Sequence, residues 1–165
     1  MKFIKIILFL FAVFSKSQDL NCSKIYLIRH AEKLRTNISE KNPDLNDKGI
    51  IRAEYWKNYF SDKNISNIYS TNFKRTIKTV EPLALINEIE IILYSTDEKM
   101  DYQKFLKFNS GKNSLVVGHS NTIPKFVNGL INKELYQDID DLNNSNLYIV
   151  SICDSIITHK LIKVN

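Results

Sequence analysis

A short apolar run that ends in charged and ionisable side chains constrains this sequence more than any other feature. Residues 25–28 are all apolar or aromatic, Arg29 and His30 follow at once, and Glu32 lies two residues further on. The run is too short for a helix and suits a strand that is buried on both faces. In open α/β sheets, the residues just past the carboxyl ends of strands line the ligand crevice. We therefore predict a strand with a functional site at its end, with a strand that merely terminates at the surface as the alternative.

Apolar runs and helical stripes alternate along the rest of the chain. Further strands are predicted at 65–70, 89–94, 115–117, 147–152 and 156–162, and helices at 48–60, from the Thr71 region to 86, at 98–108 and around Pro124. Asn46 or Asp47 is expected to cap the first helix, and Thr71 or Asn72 the second. This alternation predicts an α/β fold, with a mostly parallel central sheet flanked by helices and a hairpin-like end.

Residues 1–18 differ in character from the rest of the chain. Lys2 and Lys5 precede an apolar run at 6–14, which small and polar residues follow. This is the layout of a secretory signal peptide, and the run is too short to span a bilayer, although an uncleaved anchor is the alternative. We predict cleavage near Ser17 or Gln18 and export to the periplasm or the medium. A single domain over 19–165, with no membrane association after cleavage, is expected.

The same segment changes how the charge of the protein is interpreted. The formal net charge is +5, of which Lys2, Lys5 and Lys16 contribute three, so that +2 remains for residues 19–165. This remainder has no basic run and no basic patch interleaved with aromatic residues. Nucleic acid is therefore excluded as a partner.

Four side chains fall at equivalent places in the predicted fold. Arg29 and His30 follow the first strand, Arg75 begins the helix after the second, and His119 follows the fourth. Parallel neighbouring strands would bring all four to one edge of the sheet. Guanidinium groups suit phosphate oxygens, and imidazole is a nucleophile at neutral pH. The constellation predicts phosphoryl transfer, and without close histidine pairs no metal or other cofactor is expected.

Four segments around these side chains occur in a recognisable order. They are Arg29-His30-Ala31-Glu32-Lys33, Pro43-Asp44-Leu45-Asn46-Asp47-Lys48-Gly49, Tyr69-Ser70-Thr71-Asn72-Phe73-Lys74-Arg75-Thr76 with Thr79, and Val116-Val117-Gly118-His119-Ser120-Asn121. Over about residues 23–152 the chain resembles the histidine phosphatase superfamily, which also contains the cofactor-dependent phosphoglycerate mutases. The resemblance is to the short single-domain phosphatases. It implies a phosphoglycerate mutase-like fold, with one antiparallel strand beside the first strand.

The resemblance implies a role for each of the four side chains. His30 would attack phosphorus and form a phosphohistidine, which water then hydrolyses. Arg29, Arg75 and His119 would hold the phosphate oxygens and stabilise the charge of the transition state.

The remaining site residues are assigned in the same way. Ser120 and Asn121, at a helix start after His119, would add donors to the phosphate, and Glu32 would orient its neighbours. The proton donor of the family has only a loose match here, at Asp97 or Glu98. Both carboxylates could instead simply begin a helix, where acids are favoured.

Export makes Cys22 and Cys153 a disulfide candidate, with two free thiols as the alternative. In the fold that the chain resembles, a late strand runs antiparallel beside the first, and residues 147–152 suit that place. The resemblance therefore favours a bond between the two cysteines.

The expected activity is that of a metal-independent phosphatase acting on phosphate monoesters or phosphoramidates, either small or protein-borne, as a monomer. A module that binds phosphorylated ligands without turnover is the alternative from another class. A mutase is disfavoured because the segment from Thr79 to Ser114 is short for an insert that encloses a bisphosphorylated intermediate.

Overall fold

The computed structural model describes residues 22–37, 39–96, 100–154 and 156–164. The predicted signal peptide and the two proton-donor candidates, Asp97 and Glu98, lie outside these residues. The strands are β1 (Cys22–Arg29), β2 (Ile65–Ser70), β3 (Ile91–Leu93), β4 (Asn113–Gly118), β5 (Asn146–Cys153) and β6 (Ile156–Lys163). The helices are α1 (Asp47–Phe60), α2 (Lys74–Ile86), α3 (Tyr102–Phe108) and α4 (Thr122–Ile131).

The strands form a mixed sheet in the order β3-β2-β4-β1-β5-β6. β1 pairs in parallel with β4 and antiparallel with β5, while β2 pairs in parallel with both β4 and β3. β6 pairs antiparallel with β5 and completes the predicted hairpin-like end. The predicted α/β fold is confirmed, including the antiparallel neighbour of the first strand.

Burial on both faces of the sheet explains why β1 has an uninterrupted apolar run. Tyr26 and Ile28 pack in the core under α1 and α2, whereas Ile25 and Leu27 pack in the core under α4. Successive side chains of a strand point to opposite faces, so every position of the run meets apolar neighbours. Each fully buried aliphatic side chain of this kind contributes about 2 kcal/mol.

The helix starts differ from the predictions where tertiary contacts intervene. Asn46 caps α1 as predicted, and its side chain accepts a hydrogen bond from the Gly49 amide at 3.0 Å. The cap predicted for α2 is wrong, because Phe73 occupies that position without a side-chain hydrogen bond. α3 begins at Tyr102, later than predicted, because the Asp101 carboxylate caps it.

A disulfide joins the start of β1 to the end of β5. Cys22 and Cys153 lie directly opposite each other in the β1–β5 register and are bonded, with their Cα atoms 4.2 Å apart. The bond is at the end of β1 away from Arg29. Within the described part of the chain, no helix is both long and apolar enough to cross a membrane.

Candidate active site

The neighbouring parallel strands β2, β4 and β1 bring the predicted side chains to one edge of the sheet. His30 directly follows β1 and His119 directly follows β4, and their ring centroids are 5.5 Å apart. Arg75 lies in the first turn of α2, with its Nη2 atom 3.4 Å from Nδ1 of His119. The arrangement brings two imidazoles and a guanidinium together at the carboxyl edge of the sheet.

The ring of His30 is buried and held in a single tautomer. Its Nδ1 atom lies 2.7 Å from the carbonyl oxygen of Ala31, so Nδ1 carries the proton and donates it. Burial and, to a smaller extent, the charge of Arg29 lower the pKa of His30 to about 3, although the hydrogen bond to Ala31 opposes this shift. At neutral pH the Nε2 atom therefore has a free lone pair, as a nucleophile requires.

Three elements hold the backbone around His30. The His30 amide donates to the Gly118 carbonyl at 2.9 Å, and the Asn144 side chain donates to the His30 carbonyl at 2.7 Å. The next amide, that of Ala31, donates to the Thr79 hydroxyl at 2.8 Å. Sequence reasoning missed Asn144 entirely, because nothing in its local sequence distinguishes it from other loop asparagines.

Hydrogen bonds also decide the tautomer of His119. The Thr71 hydroxyl donates to the Thr76 hydroxyl at 3.1 Å and lies 3.0 Å from Nε2 of His119. Because that hydroxyl proton is already used, Nε2 must carry a proton and donate it to Thr71. The lone pair is then on Nδ1, which faces Arg75. Burial and the charge of Arg75 lower the pKa of His119 to about 4.

The segment after His119 is arranged differently from the prediction. α4 starts at Thr122 rather than at His119, and the His119 amide donates to the Thr122 hydroxyl at 2.8 Å. The His119 amide is therefore already bonded within the protein. Asn121 is exposed and occupies the cap position without a side-chain hydrogen bond, while Ser120 is half-buried and its carbonyl accepts from the Ile139 amide.

Arg75 is the side chain with the most unused hydrogen-bonding capacity. Its Nε and Nη1 atoms are buried and have no hydrogen-bond partner among the described residues. The guanidinium lies over the ring of Phe73, 4.5 Å from the centroid. Burial and the nearby charge of Arg29 lower the pKa of Arg75. Buried donors on a cation without a counter-ion are costly, so this site favours an anionic ligand.

Arg29 is engaged by a loop that the sequence analysis did not connect with it. Its side chain is 2% exposed. Nη1 donates to the carbonyls of Asp140 (2.9 Å) and Asn143 (3.2 Å), and Nη2 pairs with the Asp141 carboxylate at 2.5 Å. The Nε atom has no hydrogen-bond partner within the described ranges. In this arrangement Nε and the second N–H of Nη2 are the donors of Arg29 that remain for a ligand.

Asp141 is shared between two arginines and is one carboxylate among several cations. Arg35 donates to both its carboxylate (2.6 Å) and its carbonyl (2.9 Å). The hydrogen bonds from Arg35 and then Arg29 lower the pKa of Asp141 to about 2. Lys33 is half-buried nearby. Burial and, to a smaller extent, the charge of Arg75 lower the pKa of Lys33, whereas the charge of Asp141 opposes this shift. The cluster has an excess of positive charge that suits a phosphate dianion.

Glu32 contacts α1 rather than either histidine. Its carboxylate accepts a paired set of hydrogen bonds from Arg52, at 2.8 and 2.9 Å. Burial alone would raise the pKa of Glu32, but the Arg52 hydrogen bonds lower it. A Cβ atom at Gly49 would lie 2.1 Å from the Glu32 carbonyl oxygen, so only glycine permits this close packing. Glu32 and Gly49 thus hold the segment after His30 against α1.

The fold is a mixed β-sheet flanked by helices, with two histidines and two arginines at the carboxyl edge of the sheet. Together the fold and these side chains define a phosphate-handling protein of the phosphoglycerate mutase-like class. Residues 25–105 match the family model described as the histidine phosphatase superfamily (branch 1). The match and the fold together confirm the resemblance to that superfamily. No curated protein sequence gives a significant match.

Solved structures share the fold at low sequence identity. A putative phosphohistidine phosphatase SixA from Agrobacterium tumefaciens is 18% identical, with 84% of this chain and 97% of that chain covered and a TM-score of 0.59. A phosphoserine phosphatase from Entamoeba histolytica is 18% identical, covering 87% and 98%, with a TM-score of 0.65. A phosphoglycerate mutase from Bacillus anthracis is 16% identical, covering 87% and 94%, with a TM-score of 0.61.

Within the described ranges, no group of three or more histidine, cysteine, aspartate or glutamate side chains is arranged to hold a metal ion.

Proposed function

We propose that this protein is a metal-independent phosphatase that hydrolyses phosphate monoesters or phosphoramidates through a phosphohistidine on His30. The family match supports a phosphatase in general. The observation that carries the proposal is the state of His30, whose Nε2 is unprotonated at neutral pH and whose ring lies 5.5 Å from the ring of His119, which in turn contacts Arg75. A nucleophile and an anion site occur at the same place.

The first step transfers the phosphoryl group to the protein. Nε2 of His30 attacks phosphorus, and the bond from phosphorus to the leaving group breaks. The unpaired donors of Arg75 and Nε of Arg29 bind the non-bridging oxygens and stabilise their charge. The leaving group departs with the electron pair of the broken bond and takes up a proton, for which Asp97 and Glu98 remain the predicted donors.

The tautomer of His119 determines how this ring acts on a bound phosphate. Its Nδ1 lone pair faces the pocket side of Arg75, so the neutral ring has no proton to offer a phosphate there. A bound phosphate dianion raises the pKa of His119 by its negative charge. The ring then takes up a proton on Nδ1 and donates it to a phosphate oxygen. In the second step water attacks phosphorus and gives a proton to the carboxylate that protonated the leaving group. The bond between phosphorus and Nε2 of His30 breaks, and inorganic phosphate is released.

We also propose that the protein is exported and acts as a monomer on a small-molecule or protein-borne phosphate. The Cys22–Cys153 disulfide supports export, because such bonds persist in oxidising compartments and are rare in the cytosol. The layout of residues 1–18 supports the same proposal. Nucleic acid and, after cleavage, membrane are not proposed as partners.

Labelling followed by an alkaline detergent quench tests the covalent step, because a phosphohistidine is stable in base. Incubation with an aryl phosphate that carries radioactive phosphorus should give labelled protein. The label should be lost in acid and kept in base, which is the behaviour of a phosphoramidate. His30→Ala should lose both labelling and turnover, and EDTA should change neither in the unmodified protein. His159→Ala is the matched control, because that exposed imidazole on β6 lies at the edge of the sheet. Labelling that persists in His30→Ala would reject the mechanism, and phosphate binding without any turnover would favour the binding module.

A further inference from the structure

An apolar cavity of about 500 Å³ lies beside β3 and under α3. Aromatic and aliphatic residues make up most of its lining, among them Tyr69, Leu93, Tyr94, Phe105, Phe108 and Phe126, while Ser95, Asp101 and Lys104 also contribute to it. We call it the aromatic cavity. The mechanism above uses none of these side chains.

A smaller cleft relates the aromatic cavity to the phosphate site. Leu93 and Tyr94 line both, and Thr71 and Phe73 line the cleft only. Thr71 is the residue that accepts a hydrogen bond from Nε2 of His119, and the Phe73 ring packs edge-on against the His119 ring, with the centroids 5.0 Å apart. The cleft therefore starts at the side chains that hold His119 and leads past Phe73 into the aromatic cavity.

The walls of the aromatic cavity are held in place by packing within the protein. The Phe105 and Phe126 rings meet edge-to-face at 5.1 Å, and the Tyr94 ring meets Phe126 at 5.8 Å. The Tyr94 hydroxyl donates to the Val117 carbonyl at 3.1 Å, so its polar end is already satisfied by β4. The cavity therefore presents hydrocarbon and ring surface to a ligand.

Two large apolar side chains at the cavity remain accessible to solvent. Leu93 is 52% exposed and Phe108 is 60% exposed. Covering exposed apolar surface of this kind is favourable, and the gain is proportional to the area removed from water. An apolar group that entered the cavity would remove part of this surface from water, whereas a sugar or a charged peptide would lose hydration wherever it met the apolar walls.

We propose that the aromatic cavity binds the leaving group, so that the substrates are phosphate esters with an aromatic or long apolar leaving group. This inference rests on the proposed phosphatase function. The cavity volume lies within the range of pockets that enclose ligands of drug size, about 300–1,000 Å³. Each methylene that enters such a surface is expected to raise kcat/KM about fourfold, until the cavity is full.

A series of n-alkyl phosphates, from ethyl to octyl, tests the inference on the full chain. The leaving-group alcohols have nearly equal acidity, so the chemistry is constant and only the apolar contact changes. kcat/KM should rise with chain length, and glycerol 3-phosphate should fall well below propyl phosphate. Calorimetric binding of the matching n-alkyl phosphonates supplies a readout that needs no turnover, and their affinity should rise in parallel.

Leu93→Ser should flatten the dependence on chain length, because it removes a wall shared by the cleft and the cavity. Ile156→Ser is the matched control, since Ile156 is a similarly exposed aliphatic residue, 69% exposed, on β6 at the opposite edge of the sheet. Equal kcat/KM for ethyl and octyl phosphate would overturn the inference and leave the phosphatase intact. So would an unchanged slope in Leu93→Ser. Chain-length-dependent phosphonate binding without hydrolysis of any ester would support the cavity and reject the proposed function.

Discussion

The Cys22–Cys153 disulfide is predicted to supply a large part of the stability of this domain without affecting its chemistry. The bond links residues 131 positions apart, so nearly the whole domain lies within the closed loop. In the chain-entropy model, a loop of this length stabilises the folded state by about 5 kcal/mol at 25 °C. Domains have total stabilities of about 5–15 kcal/mol, so removal of the bond would cost a third or more of the total.

The effect on activity should be small because of where the bond lies. It is at the start of β1, and His30 follows the end of that eight-residue strand. With a rise of about 3.3 Å per residue, the disulfide lies about 25 Å from His30. The hydrogen bonds that hold His30 and Ala31 are all at the other end of the strand: the two amides donate to Gly118 and Thr79, and Asn144 donates to the His30 carbonyl.

Urea unfolding of the oxidised protein and of the double variant Cys22→Ser/Cys153→Ser measures the effect. The fluorescence of the fully buried Trp56 reports the transition. A loss of about 2–5 kcal/mol is expected, which moves the midpoint by about 1–3 M at a typical slope. kcat at low temperature should match the unmodified protein. Equal midpoints, or two thiols that react in the native oxidised protein, would refute the reasoning.

Three further predictions concern the site. The pKa values of His30 and His119 are lowered to about 3 and 4, so below pH 6.5 the unfolded chain binds more protons than the folded one. The free energy of unfolding, measured by urea titration, should therefore be highest above pH 6.5 and should fall steadily from pH 6.5 to 4. Thr79→Val should lower kcat at least tenfold with little change in KM, because it leaves the buried Ala31 amide beside His30 without its hydrogen-bond acceptor. Thr79→Ser keeps the hydroxyl and should retain kcat. Asp141→Asn should tighten inhibition by inorganic phosphate by removing an anion from Arg29; weaker inhibition would instead show that Asp141 serves to position that arginine.

Local sequence was sufficient to predict the elements that carry the site. β2 occupies the predicted residues 65–70, and β1 and β4 extend the predicted apolar runs by a few residues at each end. These runs are apolar at every position because both faces of a central strand are buried, so the pattern is visible without knowledge of the neighbours. Side chains that follow such strands must then lie at the carboxyl edge, which is why Arg29, His30 and His119 could be selected.

Contacts between distant segments could not be predicted in this way. Asp141 pairs with Arg29 across 112 positions, and Asn144 bonds to the His30 carbonyl across 114. The cap expected for α2 at Thr71 or Asn72 also failed, since the helix begins at Lys74 and the Thr71 hydroxyl contacts Thr76 and His119 instead. Propensity describes what a residue can do within its own turn, and a competing partner from elsewhere in the chain overrides it.

The sequence by itself determined the fold class, the edge of the sheet where chemistry occurs and the four side chains gathered there, because strand periodicity and residue chemistry are local properties. Only the tertiary structure decided which nitrogen of each histidine is free, which donors of Arg29 and Arg75 remain for a phosphate, and that an aromatic cavity lies beside them. Those properties depend on burial and on hydrogen-bond partners, which exist only once distant segments have packed together.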